Sequence, residues 1–367
     1  MDRERTSEEL HARARAFVDA FERGAPTPER FDALGRDVAR FQAAAIPAYA
    51  RLCVARGVDP ARIERLGEAP AVPTEAFKMS HVFAFDDARA VATFRTSGTT
   101  TDTRGAHRMR TTETYDRAAA AFGRWALAEG LPPRVPILAL APSPASVPDS
   151  SLGHMMATFC ERFGAPAGPA ETWFVDDGVI DLAGLDARAA RLLVDDSPPA
   201  LVLATSFALV HLLEGMDDLT VRLPPGSRVM QTGGFKGRSR EVPAHELRRE
   251  VARVFCIRVE DVVCEYGMTE LSSQFYETTA RGGARHGVYA EPPWARVVPV
   301  HPETLEPVPD GAIGIARIED LMNVDSAACV LAADRVRRVP GGFELLGRQP
   351  GAAPRGCSIA IDELLGG

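Results

Sequence analysis

The sequence predicts an α/β fold in which helices cover largely parallel sheets, with a smaller β-rich lobe further along the chain. Between about residues 91 and 335, short apolar runs typical of buried strands alternate with amphipathic helical stretches. After about residue 286 the chain becomes rich in strand-forming residues, whereas the first 90 residues have a helical pattern. This pattern contains no internal repeat and no low-complexity tract.

The helical start is predicted from the spacing of apolar residues. One helix face is formed by Leu10, Ala14, Phe17, Val18 and Phe21. Thr6 and Glu9 have the spacing of a capping box, which predicts a helix that begins just after Thr6. A second helix is predicted over 36–56 with a break or kink near Pro47. The tract 70–78 is predicted to be a loop that leads into the core.

The elements of the core follow from short apolar runs and from helical spacing. Strands are predicted at 91–94, 135–141, 200–204, 228–231 and 261–264. Helices are predicted near 113–129, 152–163, 184–195, 206–214 and 243–255. The later strands are predicted at 287–291, 295–300, 313–319 and 343–346. The predicted domains are a helical region (1–90), an α/β core (91–285), a β-rich lobe (286–347) and a short tail (348–367).

Composition excludes several classes of protein. The chain has 367 residues, a net charge of -8 and a pI near 5.6, so nucleic acid is not expected as its main partner. No apolar run approaches the roughly 20 residues that a membrane span needs. The charged N-terminus predicts no secretory signal. Six cysteines without a CxxC pair predict reduced thiols in a cytoplasmic protein. All of them except Cys357 are predicted to be buried in the core.

A hydroxyl-rich tract follows the first predicted strand of the core. Its residues, together with a nearby arginine, are Thr96, Ser97, Gly98, Thr99, Thr100 and Arg104. Hydroxyls and backbone N–H groups can surround a phosphate, and arginine can neutralise its charge. The tract lacks the GxxxxGK[ST] pattern of a P-loop. A polar surface turn is the alternative interpretation for the tract taken alone.

Two further tracts each follow a predicted strand, where open α/β sheets bind ligands. Gly233 and Gly234 allow close backbone approach to a flat ring, and Lys236 can reach a phosphate or a carboxylate. The second tract is Tyr266-Gly-Met-Thr-Glu270. Here the tyrosine can stack on a base, Thr269 can bond an α-phosphate, and Glu270 can hold Mg²⁺. The combination of the three tracts predicts an ATP-using enzyme.

Lysine is rare in this chain. Lys78 and Lys236 are its only lysines among 42 basic residues. Mutational bias toward arginine explains most of this skew. A lysine that is retained can nevertheless mark a need for a compact point charge.

These motifs resemble those of the adenylate-forming superfamily of acyl-CoA synthetases, aryl-CoA ligases and luciferases. Within it, TGGFKGRSRE, YGMTELSSQFY and the ending LGR…RGCS are similar to the acyl-protein synthetases of bacterial fatty-acid reductase. The resemblance covers roughly residues 70 to 360. It implies the large-domain architecture of that superfamily and the use of ATP and Mg²⁺.

The resemblance also implies roles for individual residues. The phosphate loop falls on 96–105, with Thr101, Thr103 and Arg104 where the superfamily has glycine, proline and lysine. The adenine-binding turn falls on Gly233 and Gly234. The YGxTE motif falls on Tyr266, Gly267, Thr269 and Glu270. The ribose-binding aspartate and the hinge arginine fall on Asp334 and Arg348.

The end of the chain departs from relatives that make CoA thioesters. The sequence ends shortly after Arg348, which predicts that their mobile C-terminal domain is absent or vestigial here. Lys236 is then expected to replace the catalytic lysine of that domain. Cys357, in Arg-Gly-Cys-Ser, is the family-like candidate for an acyl-accepting thiol, and Arg355 could lower its pKa. An inert packed cysteine is the alternative.

The predicted function is the ATP-dependent activation of a carboxylic acid, most simply a fatty acid, and the transfer of the acyl group to a protein cysteine. The expected partner is an acyl reductase or another acyl-accepting protein. One alternative is an acyl- or aryl-CoA ligase. Another is a catalytically degenerate nucleotide-binding subunit.

Overall fold

The computed structural model describes residues 3–96, 104–216, 220–233, 243–282, 285–349 and 355–365, without the side chains of residue 216 and of residues 355–358. Within this part of the chain, no helix is long and apolar enough to cross a membrane. The helices are α1 (Arg3–Glu22), α2 (Phe31–Ala45), α3 (Pro47–Ala55), α4 (Ala76–Met79), α5 (Glu113–Ala128), α6 (Ser151–Phe163), α7 (Pro169–Thr172), α8 (Leu182–Val194), α9 (Ser206–Met216), α10 (Ala244–Phe255) and α11 (Arg355–Leu365). The strands are β1 (Val72–Pro73), β2 (Ala92–Arg95), β3 (Ala106–Met109), β4 (Ile137–Pro142), β5 (Trp173–Asp176), β6 (Val179–Ile180), β7 (Leu201–Thr205), β8 (Arg228–Thr232), β9 (Val262–Tyr266), β10 (Phe275–Glu277), β11 (Val288–Ala290), β12 (Ala295–Val300), β13 (Ile313–Asp320), β14 (Cys329–Val339) and β15 (Gly342–Arg348).

The chain folds into two compact units. Unit 1 comprises Met1–Ala121, Met268–Gln274 and Ala290–Gly367, and unit 2 comprises Phe122–Gly267 and Phe275–Tyr289. These compact units are not the predicted domains and do not test them. The predicted domain boundaries after 90, 285 and 347 therefore stay predictions. The boundary between Gly267 and Met268 falls inside the predicted YGxTE motif.

Unit 2 is built on a mostly parallel sheet. Its strand order is β10-β9-β8-β7-β4-β5-β6, with β10 and β6 antiparallel to their neighbours. Strands β7 and β8 are almost wholly buried, as expected for central strands that are covered on both faces. Parallel pairing aligns Thr232 on β8 with Glu265 on β9. The carboxyl ends of these two strands therefore lie side by side, directly before two of the predicted ligand-binding tracts.

Unit 1 combines an antiparallel sheet with the N-terminal helices. Strands β12, β13, β14 and β15 pair in that order, and β1 adds to β14 in parallel with Val72 opposite Val330. Strands β2 and β3 form a separate antiparallel pair. Helix α11 packs against α3, β1 and α4. Two segments that are distant in sequence, 72–79 and 355–365, are thus neighbours in this unit.

Most predicted elements of the core are confirmed within a few residues, including the break at Pro47, which begins α3. Three expectations are wrong. Helix α1 already runs at Thr6, so this residue is not an N-cap, and Glu9 pairs with Arg5 instead (Nε to Oε1, 3.0 Å). The tract 70–78 contains β1 and most of α4 rather than a loop. Cys256 is exposed, because it caps the end of α10 in a left-handed conformation outside the apolar helix face.

Candidate active site

The base of the predicted phosphate loop is closed by hydrogen bonds in unit 1. Strands β2 and β3 pair up to Arg95 and Ala106, and the backbone N–H of Thr96 donates to the carbonyl of Gly105 (2.9 Å). The N–H of Gly105 donates in turn to the hydroxyl of Thr96 (2.9 Å). Ser97, Gly98, Thr99 and Thr100 lie outside the described residues. The described part therefore fixes the two ends of the loop.

Arg104 stands where the superfamily loop has lysine. Its Nε donates to the carbonyl of Thr96 (2.7 Å), and its Nη2 lies 3.3 Å from the carbonyl of Arg95. The guanidinium thus ties the exit of the loop to its entry strand. This use suits arginine, whose planar group carries several donors in a fixed geometry.

The tract Tyr266–Glu270 begins in unit 2, where Tyr266 ends β9. The Tyr266 side chain is buried, and its ring lies 6.0 Å from that of Phe275 and 6.2 Å from that of Tyr289, measured between centroids. These aromatic neighbours hold the ring in a defined orientation. Gly267 follows and is partly exposed.

The rest of the tract lies in unit 1, where two side chains hold its backbone. His107 Nδ1 lies 2.7 Å from the carbonyl oxygen of Thr269. Asn323 Nδ2 donates to the carbonyl of Glu270 (2.9 Å) and to that of Ala327 (2.9 Å). The Glu270 side chain is buried. Anchored carbonyls restrict the orientation in which the Thr269 and Glu270 side chains leave the backbone.

His107 is held in its neutral form. Burial lowers the pKa of His107 to about 4, from an ordinary value of 6.5. A carbonyl can only accept, so Nδ1 carries the proton and Nε2 does not. The ring contacts Phe77 and Phe83, at centroid distances of 5.8 and 6.0 Å, and these two rings also contact each other at 6.2 Å. His107 lies on β3, two residues after the end of the phosphate loop. Its hydrogen bond therefore joins the strand that leaves the loop to the carbonyl of Thr269.

A buried carboxylate fixes the residues after Glu270. Asp320 accepts hydrogen bonds from the N–H groups of Ser272 (2.9 Å) and Met322 (3.0 Å) and from the Ser273 hydroxyl (2.6 Å). Burial raises the pKa of Asp320 to about 6. No motif in the sequence indicated His107, Asp320 or Asn323, because these residues meet their partners only through the fold.

The glycine turn in unit 2 starts from a hydrogen-bonded strand end. Gly233 has a φ of 69°, a left-handed conformation that favours glycine. The Ser206 hydroxyl lies 2.6 Å from the carbonyl of Gly233 and accepts from Gln231 Nε2 (3.1 Å). Next to it, the Thr232 hydroxyl donates to the buried carboxyl of Glu265, whose pKa burial raises to about 7. Gly234 and Lys236 lie outside the described residues.

Asp334 and Arg348 are brought together by strand pairing in unit 1. They are opposite each other on β14 and β15, and Arg348 Nε lies 3.4 Å from Asp334 Oδ1. The Asp334 side chain is 13% exposed, whereas that of Arg348 is 78% exposed. A mostly exposed arginine adds little stability through such a pair, and the Arg348 guanidinium remains accessible to a ligand.

A family model described as LuxE acyl-protein synthetase matches residues 37–366. The chain belongs to this family. The matched range includes every predicted site residue from Thr96 to Cys357, and it confirms the resemblance that the motifs indicated. No curated protein sequence matches the chain.

Solved structures show the fold of this family member. It resembles 2-hydroxyisobutyryl-CoA ligase in complex with 2-HIB-AMP and CoA, with a TM-score of 0.58, 16% identity and coverage of 92% of this chain and 68% of the ligase. The postadenylation state of that ligase gives a TM-score of 0.58, 14% identity and coverages of 86% and 67%. ATP-bound MatB from Rhodopseudomonas palustris gives 0.48 and 17%, over 73% of this chain and 50% of MatB. The chain thus spans about half the length of MatB. The likeness to the 2-hydroxyisobutyryl-CoA ligase confirms the predicted fold.

In this family member, Cys357 lies on α11, although its side chain is not described. Further along the helix, Ala360 and Leu364 are buried. Arg56, directly after α3, pairs with Glu363 (Nε to Oε2, 2.5 Å). Arg51 on α3 donates from Nε to the carbonyl of Leu364 (3.1 Å). These contacts dock the helix that carries Cys357 on unit 1.

The other cysteines of this family member differ from one another. Burial raises the pKa of Cys53 and Cys160 to about 11, and that of Cys264 and Cys329 to about 12. These thiols stay protonated near neutral pH and are therefore poor nucleophiles. Cys256 is exposed.

Proposed function

We propose that this chain uses ATP to convert a carboxylic acid, most simply a fatty acid, to an acyl-adenylate and then passes the acyl group to a protein cysteine. The observation that carries the proposal is the match to the acyl-protein synthetase family over 37–366. The anchoring of Thr269 and Glu270 by His107 and Asn323 supports it, because positioned groups are what adenylation needs.

The chemistry is dominated by charge. A carboxylate that attacks the α-phosphate of ATP meets another anion, so donors and cations around the phosphate must offset the repulsion. The loop hydroxyls, Arg104 and Lys236 supply them, and Thr269 bonds the α-phosphate. The base and the ribose are bound by Gly233, Gly234, Tyr266, Gly267 and Asp334. Arg348 adds a positive charge beside Asp334.

Glu270 is the one protein carboxylate that we assign to Mg²⁺. Among the described residues, no group of three or more His, Cys, Asp or Glu side chains is placed to hold a metal ion. Mg²⁺ is commonly bound by one or two carboxylates together with substrate phosphates and water. Glu270 suits an ion that enters with ATP. When bound, Mg²⁺ neutralises phosphate charge and favours the departure of pyrophosphate.

Cys357 is the proposed acyl acceptor, and a thiolate is the attacking form. The high pKa values of the four buried or partly buried thiols favour a residue outside that group. Cys256 is exposed, so it is the thiol with which Cys357 is compared in the experiment below. Transfer onward to an acyl reductase, and location in the cytoplasm, are parts of this proposal.

The experiment combines trapping and labelling. Purified protein is incubated with ATP, Mg²⁺, hydroxylamine and acids of increasing chain length, and hydroxamate is measured. Hydroxamate above background with at least one acid is expected, and its absence with every acid, while a known relative responds, would refute adenylation.

A second arm tests the acceptor with radiolabelled acid and no hydroxylamine. Label that stays on the protein without CoA supports acyl-protein synthesis, whereas a soluble product that requires CoA identifies a CoA ligase. Cys357→Ser should abolish the protein-bound label and keep hydroxamate formation. Cys256→Ser is the matched control and should change neither.

A further inference from the structure

Lys78 lies against the base of the phosphate loop. It belongs to α4 in unit 1 and is exposed. A Cβ atom added to Gly105 would lie 3.2 Å from Lys78 Cγ and 3.1 Å from Thr96 Cγ2. The lysine stem therefore packs on Gly105, the glycine that ends the loop. The ammonium group lies beyond this contact, separated from Cγ by Cδ and Cε. Lysine commonly packs its stem in this way while its charged end reaches solvent or a ligand.

The neighbouring residue fixes α4 in place. Phe77 is buried and packs against Phe83 and His107, at ring-centroid distances of 6.2 and 5.8 Å. Before α4, the N–H of Thr74 donates to the carbonyl of Leu331 (3.1 Å). Lys78 thus stands on a short element that is held from two sides, and Phe77 contacts the same histidine that holds Thr269.

The charge of Lys78 can serve a phosphate at the base of the loop. Arg104 already donates to the carbonyls of Thr96 and Arg95, so only its remaining donors can meet the phosphates, and a second cation beside it adds charge there. No ion pair or side-chain hydrogen bond of Lys78 occurs with any residue that the structure describes. A lysine presents a compact charge to phosphate, and this chain uses arginine at nearly every other basic position.

We propose that Lys78 binds the phosphates of ATP from beside the base of the phosphate loop. This inference rests on the proposed function, since it assigns one further group to the same nucleotide. It makes Lys78 a substrate-binding residue and gives each of the two lysines of the chain a role near phosphate.

The test uses the full-length protein and measures the binding of MgATP and of adenosine by calorimetry, beside hydroxamate formation. Lys78→Met keeps the stem that packs on Gly105 and removes the charge. The dissociation constant for ATP should rise roughly ten- to hundredfold, as expected for the loss of one charge-assisted hydrogen bond, while adenosine binding is unchanged. Lys78→Arg should restore part of the loss. Arg62→Met, which removes an exposed charge on the same unit, is the matched control and should behave as native.

Two outcomes would overturn the assignment: native ATP binding in Lys78→Met, or an equal loss for adenosine. Failure of the proposed function is a separate result. It would appear as ATP binding by the native protein without hydroxamate from any acid, in which case the assignment of Lys78 is still decided by the binding data. A native protein that does not bind ATP would refute both.

Discussion

At the scale of single residues, His107 shows how a buried side chain controls the geometry of a distant motif. Its neutral ring donates one hydrogen bond to the Thr269 carbonyl, and Phe77 and Phe83 keep the ring in place. Burial removes water from the ring and penalises its charged, protonated form, which is why the pKa of His107 is lowered. His107 is therefore a positioning residue for Thr269.

Replacing His107 separates the hydrogen bond from the packing. His107→Phe keeps an aromatic ring but leaves the Thr269 carbonyl without its donor, so we expect a loss of about 1–2 kcal/mol in the free energy of unfolding and slower hydroxamate formation. His107→Asn places an amide N–H near the position of Nδ1 and should retain more activity. Equal activity of the two variants and the native protein would contradict the positioning role.

The same histidine makes stability depend on pH. The unfolded chain takes up a proton on His107 near pH 6.5, whereas the folded protein does so only near pH 4. The free energy of unfolding should therefore fall as pH decreases from about 6.5 to about 4, by up to about 3 kcal/mol from this group. Denaturant unfolding at several pH values measures it, and both variants should lack this component. A variant with the native slope would rule it out.

Glu265 acts in the opposite direction. The folded protein keeps the proton on this carboxyl up to about pH 7, whereas the unfolded chain releases it near pH 4.5. The contribution of Glu265 to the free energy of unfolding thus falls as pH rises from about 4.5 to 7.

Glu265→Gln removes this titration. The variant should exceed the native protein in stability by up to about 3 kcal/mol above pH 7, and the difference should shrink as pH falls toward 4.5. Because the His107 component has the opposite sign over an overlapping range, the quantity to analyse is the difference between variant and native at each pH. A constant difference across pH would contradict a raised pKa.

At the scale of secondary-structure elements, the β2–β3 pair and α4 together form the base of the phosphate loop. The close approach of the Lys78 stem and the Thr96 side chain leaves little room at Gly105. Gly105→Ala should push both neighbours away by a few tenths of an ångström. We expect weaker ATP binding with a cost in stability of only about 1 kcal/mol.

Gly168→Ala provides the comparison, because an added Cβ there has no neighbour within 4 Å and Gly168 belongs to unit 2. Calorimetric ATP binding and denaturant unfolding are the measurements. Unchanged ATP affinity in Gly105→Ala would show that the packing of Lys78 on Gly105 does not matter for the nucleotide.

Helix α11 provides a second test at this scale, because its docking is separable from adenylation. Leu364 is fully buried, so Leu364→Ala should cost about 2–4 kcal/mol in the local stability of the helix. Faster hydrogen exchange of the α11 amides is expected. Protein-bound acyl label should fall more than hydroxamate, since the helix carries Cys357.

Leu365→Ala alters the adjacent residue, whose side chain is 42% exposed, and should have little effect on either measurement. Equal losses of label and hydroxamate in Leu364→Ala would show that α11 supports the whole unit rather than the acceptor step.

At the scale of the whole molecule, the sequence predicted the parts whose patterns are local. Buried strands such as β7 and β8 are continuous apolar runs, and each ligand-binding tract directly follows a strand. The pairs that hold the site are not local: His107 and Thr269, or Asn323 and Glu270, meet only through the fold. Short elements such as α4 also escaped prediction, because four residues hold too little periodicity. Lysine is rare in this sequence, which singles out Lys78, but only the structure places it at the loop base.

The last prediction concerns the free energy of unfolding, which rises when a ligand binds only the folded state. For binding to the folded state alone, ATP at 100 times its dissociation constant adds about 2.7 kcal/mol to the free energy of unfolding, and at 1,000 times about 4.1 kcal/mol. For a chain of 367 residues, each kilocalorie per mole raises the unfolding temperature by only about 1–2 °C. A shift that grows with ATP concentration is therefore expected in the presence of Mg²⁺, and none with MgCl₂ alone. Asp334→Asn should reduce the shift at a given ATP concentration, because the Asp334 carboxylate is the proposed partner of the ribose hydroxyls. An ATP-dependent shift that is identical in this variant would remove Asp334 from the nucleotide site, and the lack of any shift in the native protein would contradict ATP binding itself.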